Sequence, residues 1–202
     1  MVRDGLHYAL ALTAAGCFVW WLANPWVALP LWAGAAFCLH FFRDPERKAP
    51  EGDVAVAPAD GKVLSVIALG PELTRVSIFM NLFDVHVNRA PIGGRIAEVC
   101  YRRGRFLVAS RERAAEENEN NTVVIEGDGT RVSFRQIAGI IARRIVFYKR
   151  PGDVVARGER VGLIKFGSRV DVFLGREWEI VVRPGDRVRA GESVIARRRG
   201  DD

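Results

Sequence analysis

The sequence predicts a mainly β domain carried behind an N-terminal helical hairpin, and three observations predict it. From Val54 onward the chain is built of short Val- and Ile-rich runs separated by Gly, Asp or Pro turns. An eleven-residue segment, Pro151 to Val161, recurs 33 residues later as Pro184 to Val194. Ahead of both, residues 6–42 form two apolar stretches divided by Asn24-Pro25.

The two apolar stretches, LHYALALTAAGCFVWWLA and WVALPLWAGAAFCLHFF, each approach the ~17-residue lower limit for crossing a bilayer. They read as a membrane helical hairpin over residues 1–42, either spanning or wedged into the interface. Trp20, Trp21, Trp26 and Trp32 suit interfacial anchoring. A cleaved signal peptide fits poorly, because the second stretch follows at once without a small-residue cleavage site. Arg3 precedes the hairpin while Arg43, Arg47 and Lys48 follow it, so the positive-inside rule puts both ends, and the domain behind them, on the cytoplasmic side of the cell membrane. Residues 43–53, charged and carrying two prolines, read as a linker to a domain over 54–202.

The strand-like runs in that domain are VAVAPADGKVLSVIAL, TRVSIFMNLFDVHV, TVVIEGDGTRVSFRQIA and residues 161–174. The stretch 106–121 is poor in β-branching and rich in Ala and Glu, which suits a short helix or an ordered loop. Each copy of the repeat, PGDxVxxGExV, reads as turn, strand, turn, strand. That pattern resembles the paired hammerheads of biotinyl and lipoyl carrier domains, which implies a barrel-sandwich, hammerhead-like β-fold.

At 202 residues the chain holds one domain plus an appendage. Its net charge of +6 favours an acidic partner. A lipid surface explains the scattered arginines better than nucleic acid, since no nucleic-acid-binding motif appears. Cys17, Cys38 and Cys100 show neither metal nor disulfide spacing and read as reduced and structural, and no metal site is expected.

Between the two repeat copies lies Phe166-Gly167-Ser168-Arg169, a Gly-Ser pair between apolar runs. Gly permits a strained turn in which the following hydroxyl approaches the preceding carbonyl carbon, although most Gly-Ser pairs are plain turns. Of the three histidines, His7 and His40 sit in the hairpin and suit packing. His86, in FDVHVNRAP, alternates with Asp84 and Asn88 along a presumed strand, and so joins a polar face. Asp60 lies in the ADG of VAPADGKV, ordinarily a turn.

Five segments, FRDPERKAP (42–50), VAPADGKVLSV (56–66), MNLFDVHVNRAPIGG (80–94), ASRERAAEENENNTVV (109–124) and IKFGSRVDVF (164–173), resemble in content and order those of the phosphatidylserine decarboxylases, in particular their short bacterial form. The resemblance implies self-cleavage of the Gly167-Ser168 bond into fragments 1–167 and 168–202 that stay together as a heterodimer and can assemble further. It also implies that Ser168 becomes an N-terminal pyruvoyl group, the covalent cofactor for converting phosphatidylserine to phosphatidylethanolamine. His86 matches an active-site histidine, and Asp60 an aspartate that works with histidine and serine in self-cleavage. Longer members carry a second histidine where this chain has Arg89, so His86 would serve both reactions. Arg89, Arg105 and Arg169 are candidates for binding the substrate carboxylate or phosphate. The run Glu116 to Asn121 fits either a solvated turn or a loop ordered over the site.

Two other readings compete. A membrane-tethered lipoyl- or biotinyl-like carrier would need an exposed lysine at a hairpin tip, where Lys165 lies nearest but lacks the flanking methionines usual for biotin attachment. A related pyruvoyl enzyme would act on another serine-headgroup lipid or a soluble amino acid, and the hairpin weighs against the soluble substrate.

Overall fold

The computed structural model describes residues 2–109, 113–139, 144–165 and 168–200. It separates into two compact units, Met1–Glu46 and Arg47–Asp202.

The first unit is a helical hairpin of α1 (Arg3–Leu22) and α2 (Pro25–Phe41). Asn24 terminates the turn and starts α2: its side chain accepts from the Trp26 N–H at 2.9 Å, while Pro25 at the first helical position forfeits a donor that would have no partner there. The helices meet through small residues. Gly16 lies against the Trp32 indole, Gly5 against Phe42, and Ala9, Ala28 and Ala35 are buried. Bulky apolar side chains point outward instead, with Trp21 79% and Trp26 77% exposed. An outer surface of that kind needs an apolar environment. By length and composition, the 19 residues Asp4–Leu22 suffice to cross a membrane.

The second unit is mainly β, as the sequence predicts. Its strands are β1 (Val54–Val56), β2 (Gly61–Ala68), β3 (Leu73–Met80), β4 (Val87–Arg89), β5 (Gly94–Arg102), β6 (Asn120–Gly127) and β7 (Thr130–Ala138). They continue with β8 (Ile145–Phe147), β9 (Val154–Val155), β10 (Arg160–Ile164), β11 (Ser168–Gly175), β12 (Trp178–Ile180), β13 (Arg187–Val188) and β14 (Val194–Arg198). One turn of helix, α3 (Ala114–Glu117), interrupts them. An eight-stranded sheet runs β13-β2-β3-β11-β7-β6-β5-β9, and two three-stranded sheets run β1-β14-β12 and β4-β10-β8.

This order is an internal duplication. Exchanging β1, β2, β3, β11, β12, β13 and β14 for β4, β5, β6, β7, β8, β9 and β10 turns each three-stranded sheet into the other and reads the long sheet from its opposite end. The second half is therefore one continuous stretch inserted between β3 and β11 of the first. Related hydrogen bonds recur: Val63 N–H donates to Asp186 O at 2.8 Å and Ile96 N–H to Asp153 O at 2.9 Å, while Gly191 donates to Ala57 at 2.8 Å and Gly158 to Ala90 at 2.9 Å. Both halves carry a bulge at the same place, between Val63 and Ser65 and between Ile96 and Glu98. Ala57-Pro58 and Ala90-Pro91 also correspond, as do Gly61 at φ 146° and Gly94 at φ 149°. A Cβ at these two glycines would fall 2.0 Å from Phe79 O and 2.3 Å from Glu126 O.

The repeat segment behaves as the sequence predicts, each copy giving a turn, a short strand, a second turn and a longer strand. Its aspartates, Asp153 and Asp186, accept from the main chain of Arg150 and Arg183, each at 2.8 Å, and so fix the Pro-Gly turns. Val63, Ile78, Phe134, Val170 and Leu174 are among the residues of the shared core. Burying each such side chain contributes about 1.5–3 kcal/mol.

One segment differs in detail from the sequence reading. The run TRVSIFMNLFDVHV is not one strand, because Asn81 accepts from Phe83 N–H at 2.7 Å and Asp84 accepts from Asn81 N–H at 2.8 Å, folding residues 81–84 into a turn. His86 therefore precedes β4 instead of alternating along it with Asp84 and Asn88. Among the described residues between 106 and 121, Ala114–Glu117 form the short helix α3, in keeping with the short-helix or ordered-loop reading.

Candidate active site

Ser168 opens β11, the strand at the junction of the two halves. Its register partners are Met80 on β3 and Ala138 on β7, so it sits in mid-sheet with 0% exposure. Its Oγ has no hydrogen-bond partner among the described residues. A buried hydroxyl without a partner costs about 1–3 kcal/mol, a cost for which a chemical role is one explanation. Phe166 and Gly167, the rest of the expected cleavage site, lie outside the described residues.

His86 is held by β10, whose Ile164, four residues ahead of Ser168 in the sequence, donates its N–H to His86 O at 3.3 Å. The ring is 2% exposed, and its Nδ1 lies 2.9 Å from Asp84 O. A carbonyl oxygen only accepts, so Nδ1 carries the proton and the neutral ring presents Nε2 as its basic atom.

Asp60 is linked to Ser168 through the sheet. The adjacent Gly61 packs on the main chain of Phe79 and Met80, and Met80 is the register partner of Ser168. The Asp60 carboxylate is held by Arg47, whose Nη1 lies 2.5 Å from Oδ1 and Nη2 2.8 Å from Oδ2, and by the Ala190 N–H at 2.8 Å. Asp60 thus makes its hydrogen bonds with the linker arginine and the turn after β13, whereas His86 Nδ1 is held by a main-chain carbonyl. The structure does not join Asp60 to His86 by a hydrogen bond.

The three candidate arginines lie apart from one another. Arg89 is 4% exposed and reaches between the two repeat copies, donating to Gly158 O at 2.9 Å and packing on Gly191. Arg169 follows Ser168 in the strand and so points to the opposite face of the sheet. There it is fully buried, donating to Asp171 Oδ1 at 2.6 Å and to Ser77 Oγ at 2.8 Å. Arg105 is a surface residue, 3.5 Å from Glu117 with a side chain 78% exposed.

Three groups escaped the sequence reading. Arg47 is the first, and it belongs to the same compact unit as the residue it holds. The second is Asn118, fully buried, whose side chain accepts from Leu107 N–H at 2.8 Å and donates to Leu107 O at 2.9 Å and Ala138 O at 2.7 Å. It ties Leu107 to the strand beside Ser168, which favours the ordered-loop reading of the Glu116 to Asn121 run. The third is a buried amide relay, Asn121 to Gln136 at 3.0 Å and Gln136 to Asn88 at 2.9 Å, leading inward from β6 to β4. Its only signal in the sequence was polar residues inside strand patterns.

Nearby, a cavity of about 380 Å³ is lined by Asp60, Gly61, Asp84, Arg187, Val188 and Arg189. It opens where the Asp60 turn, the 81–84 turn and β13 meet. Among the described residues no group of three or more His, Cys, Asp or Glu could hold a metal ion.

Residues 35–196 match the sequence model of the family described as phosphatidylserine decarboxylase. A relative from Solibacter usitatus (strain Ellin6076), named phosphatidylserine decarboxylase proenzyme, is 64% identical over 98% of this chain and 97% of its own length. A relative of the same name from Syntrophus aciditrophicus (strain SB) is 45% identical, with 96% of each chain covered.

Proposed function

Because the chain belongs to the phosphatidylserine decarboxylase family, we propose that it is a self-processing enzyme that cleaves at Gly167-Ser168 and decarboxylates phosphatidylserine to phosphatidylethanolamine. The observation that carries this reading is Ser168: a buried serine with an unpartnered hydroxyl, first in its strand, at the junction of the two halves. The word proenzyme in both relatives' names agrees with a chain made inactive and then processed.

Maturation in this reading begins with transfer of the Ser168 hydroxyl proton to His86 Nε2. The oxygen then attacks the Gly167 carbonyl, and the amide becomes an ester. Loss of the Ser168 Cα proton expels Gly167 as a carboxylate. Tautomerisation and addition of water then release ammonia and leave a keto group at the new N-terminus. The Ser168 position fits this group, since among the described residues its Oγ has no hydrogen-bond partner that its removal would strand. The pyruvoyl group supplies the electron sink for loss of carbon dioxide.

This chain's residues do the rest. His86 accepts and returns protons through Nε2 while Asp84 O keeps the ring in that tautomer. Asp60, fixed by Arg47 and Ala190, supplies a held carboxylate at the wall of the cavity that admits the headgroup. The sheet holds fragments 1–167 and 168–202 together, because β11 pairs with β3 and β7 on both sides. The apolar hairpin keeps the enzyme at the cell membrane. Arg43, Arg47 and Lys48 after the hairpin favour the cytoplasmic side for the catalytic unit.

Denaturing electrophoresis and intact mass test the reading. Active protein is expected as two chains, 1–167 and 168–202, the smaller lacking a free amino group. Uncut chain in active protein would overturn it, and a cofactor mass on Lys165 would point to a carrier instead.

A further inference from the structure

The duplicated domain contains its own control. Equivalent positions in the two halves share a backbone environment, so the side chains at matching positions can be compared directly. At the position of Asp60 the second half has Gly93, and at Arg187 and Arg189 it has Val154 and Ala156, each 33 residues earlier. Ser168, paired with Met80, corresponds to Thr130, paired with Gly127. Thr130 there is an ordinary packed hydroxyl, accepting from Trp178 Nε1 at 3.0 Å and donating to Glu177 at 2.7 Å. A small cavity of about 40 Å³ is lined by Asp53, Gly93, Thr130 and Trp178 among others. The cavity beside Asp60 has about 380 Å³.

We propose that Arg187 and Arg189 hold the phosphate of the lipid headgroup at the mouth of the Asp60 cavity, an inference that rests on the phosphatidylserine reading above. Both arginines line that cavity. Their side chains are 73% and 76% exposed, within reach of an incoming lipid. Arg187 lies 3.5 Å from Asp84, whose side chain is 12% exposed, and Arg189 3.9 Å from Glu192; both guanidinium groups are themselves open to solvent, so an incoming phosphate can compete for them. The other wall carboxylate, Asp60, is already matched by Arg47. Guanidinium groups bind phosphate oxygens two at a time, which fixes the headgroup's orientation as well as its position. In phosphatidylserine the phosphate and the amino acid are joined through one methylene, so a phosphate held at the mouth directs the amine inward. Arg187 and Arg189 therefore act in specificity, distinguishing a phosphorylated serine from serine itself.

The test compares wild type, Arg187→Ala/Arg189→Ala, Arg187→Lys/Arg189→Lys and a charge-matched control, Arg131→Ala/Arg176→Ala, whose side chains are also exposed. Fragment release reports folding of each variant. With short-chain phosphatidylserine below its micellar concentration, the double alanine variant is expected to raise KM about tenfold with kcat within twofold, as loss of a charge-assisted pair predicts. The lysine variant should recover part of this, and the control should match wild type. Calorimetric titration with glycerophosphoserine should show the same weakening without turnover. An unchanged KM in the double alanine variant would overturn the proposal. So would an increase confined to vesicles, which would reduce the arginines to general surface attraction. Arginine-dependent binding of glycerophosphoserine by a wild type that releases no carbon dioxide would leave the phosphate site standing and remove the decarboxylase reading instead.

Discussion

Arg47 grips both carboxylate oxygens of Asp60, at 2.5 and 2.8 Å, and the same guanidinium donates to Ala190 O at 2.8 Å. A residue just after the helical hairpin is thereby built into the wall of the candidate site. With side chains only 6% and 13% exposed, the pair is screened from water, and Arg47 belongs to the same compact unit as Asp60.

Removing one member of a buried pair leaves the other charge uncompensated, at a cost of about 3–5 kcal/mol. Arg47→Ala is therefore expected to lower the unfolding free energy by about 3 kcal/mol and to slow fragment release. Arg47→Lys keeps the charge but cannot reach both oxygens, so it should recover only part. Thermal unfolding of uncleaved protein on a Ser168→Ala background gives the first number, and a cleavage time course the second. Equal stability of all three proteins would remove Arg47 from this role.

Ser168→Ala should abolish fragment release and decarboxylation together, since an alanine side chain has no oxygen to attack the preceding carbonyl. His86→Ala should slow fragment release at least about a hundredfold, the lower range for loss of a general base. Normal cleavage with lost decarboxylation would confine His86 to the second reaction, and normal behaviour in both would exclude it from either. Asp60→Asn keeps the shape but loses the charge that Arg47 meets. It is expected to slow both reactions, and electrophoresis alongside carbon dioxide release separates the two.

Asn118→Ala leaves Leu107 N–H, Leu107 O and Ala138 O without their side-chain partner. Stranded buried groups cost about 1–3 kcal/mol each, partly relieved by relaxation. A net loss of about 3 kcal/mol is expected, together with slower self-cleavage, because Ala138 flanks Ser168 in the sheet. Unfolding midpoints and fragment time courses measure both. Loss of stability with an unchanged cleavage rate would make Asn118 purely structural.

Deleting residues 1–42 removes the apolar hairpin but retains Arg47. The truncated protein should fold, self-cleave and act on monomeric short-chain substrate, yet lose most of its rate on vesicles. Deleting residues 1–47 should in addition reproduce the defect of Arg47→Ala. Equal vesicle rates for the first truncation and the full chain would take away the hairpin's purpose.

What local chemistry dictates was legible in the amino-acid order alone. Apolar length marked the helical hairpin, β-branched runs between turn residues marked the β domain, and repeated PGDxVxxGExV marked paired turn and strand units, because each pattern acts within a few residues. Ser168 was singled out by its Gly-Ser context and by the match of five segments to one family. Which distant groups meet was settled by the folded chain. Asp60 meets Arg47 and Ala190, the latter 130 residues away; Asn118 meets Ala138; Arg169 is turned away from Ser168 because neighbours on a strand face opposite sides. The duplication was half legible, since only the PGD copies and the short AP and Gly matches share residues. The rest is carried by pairing register and matched bulges, which depend on main-chain hydrogen bonds between segments and so leave little trace in side-chain identity.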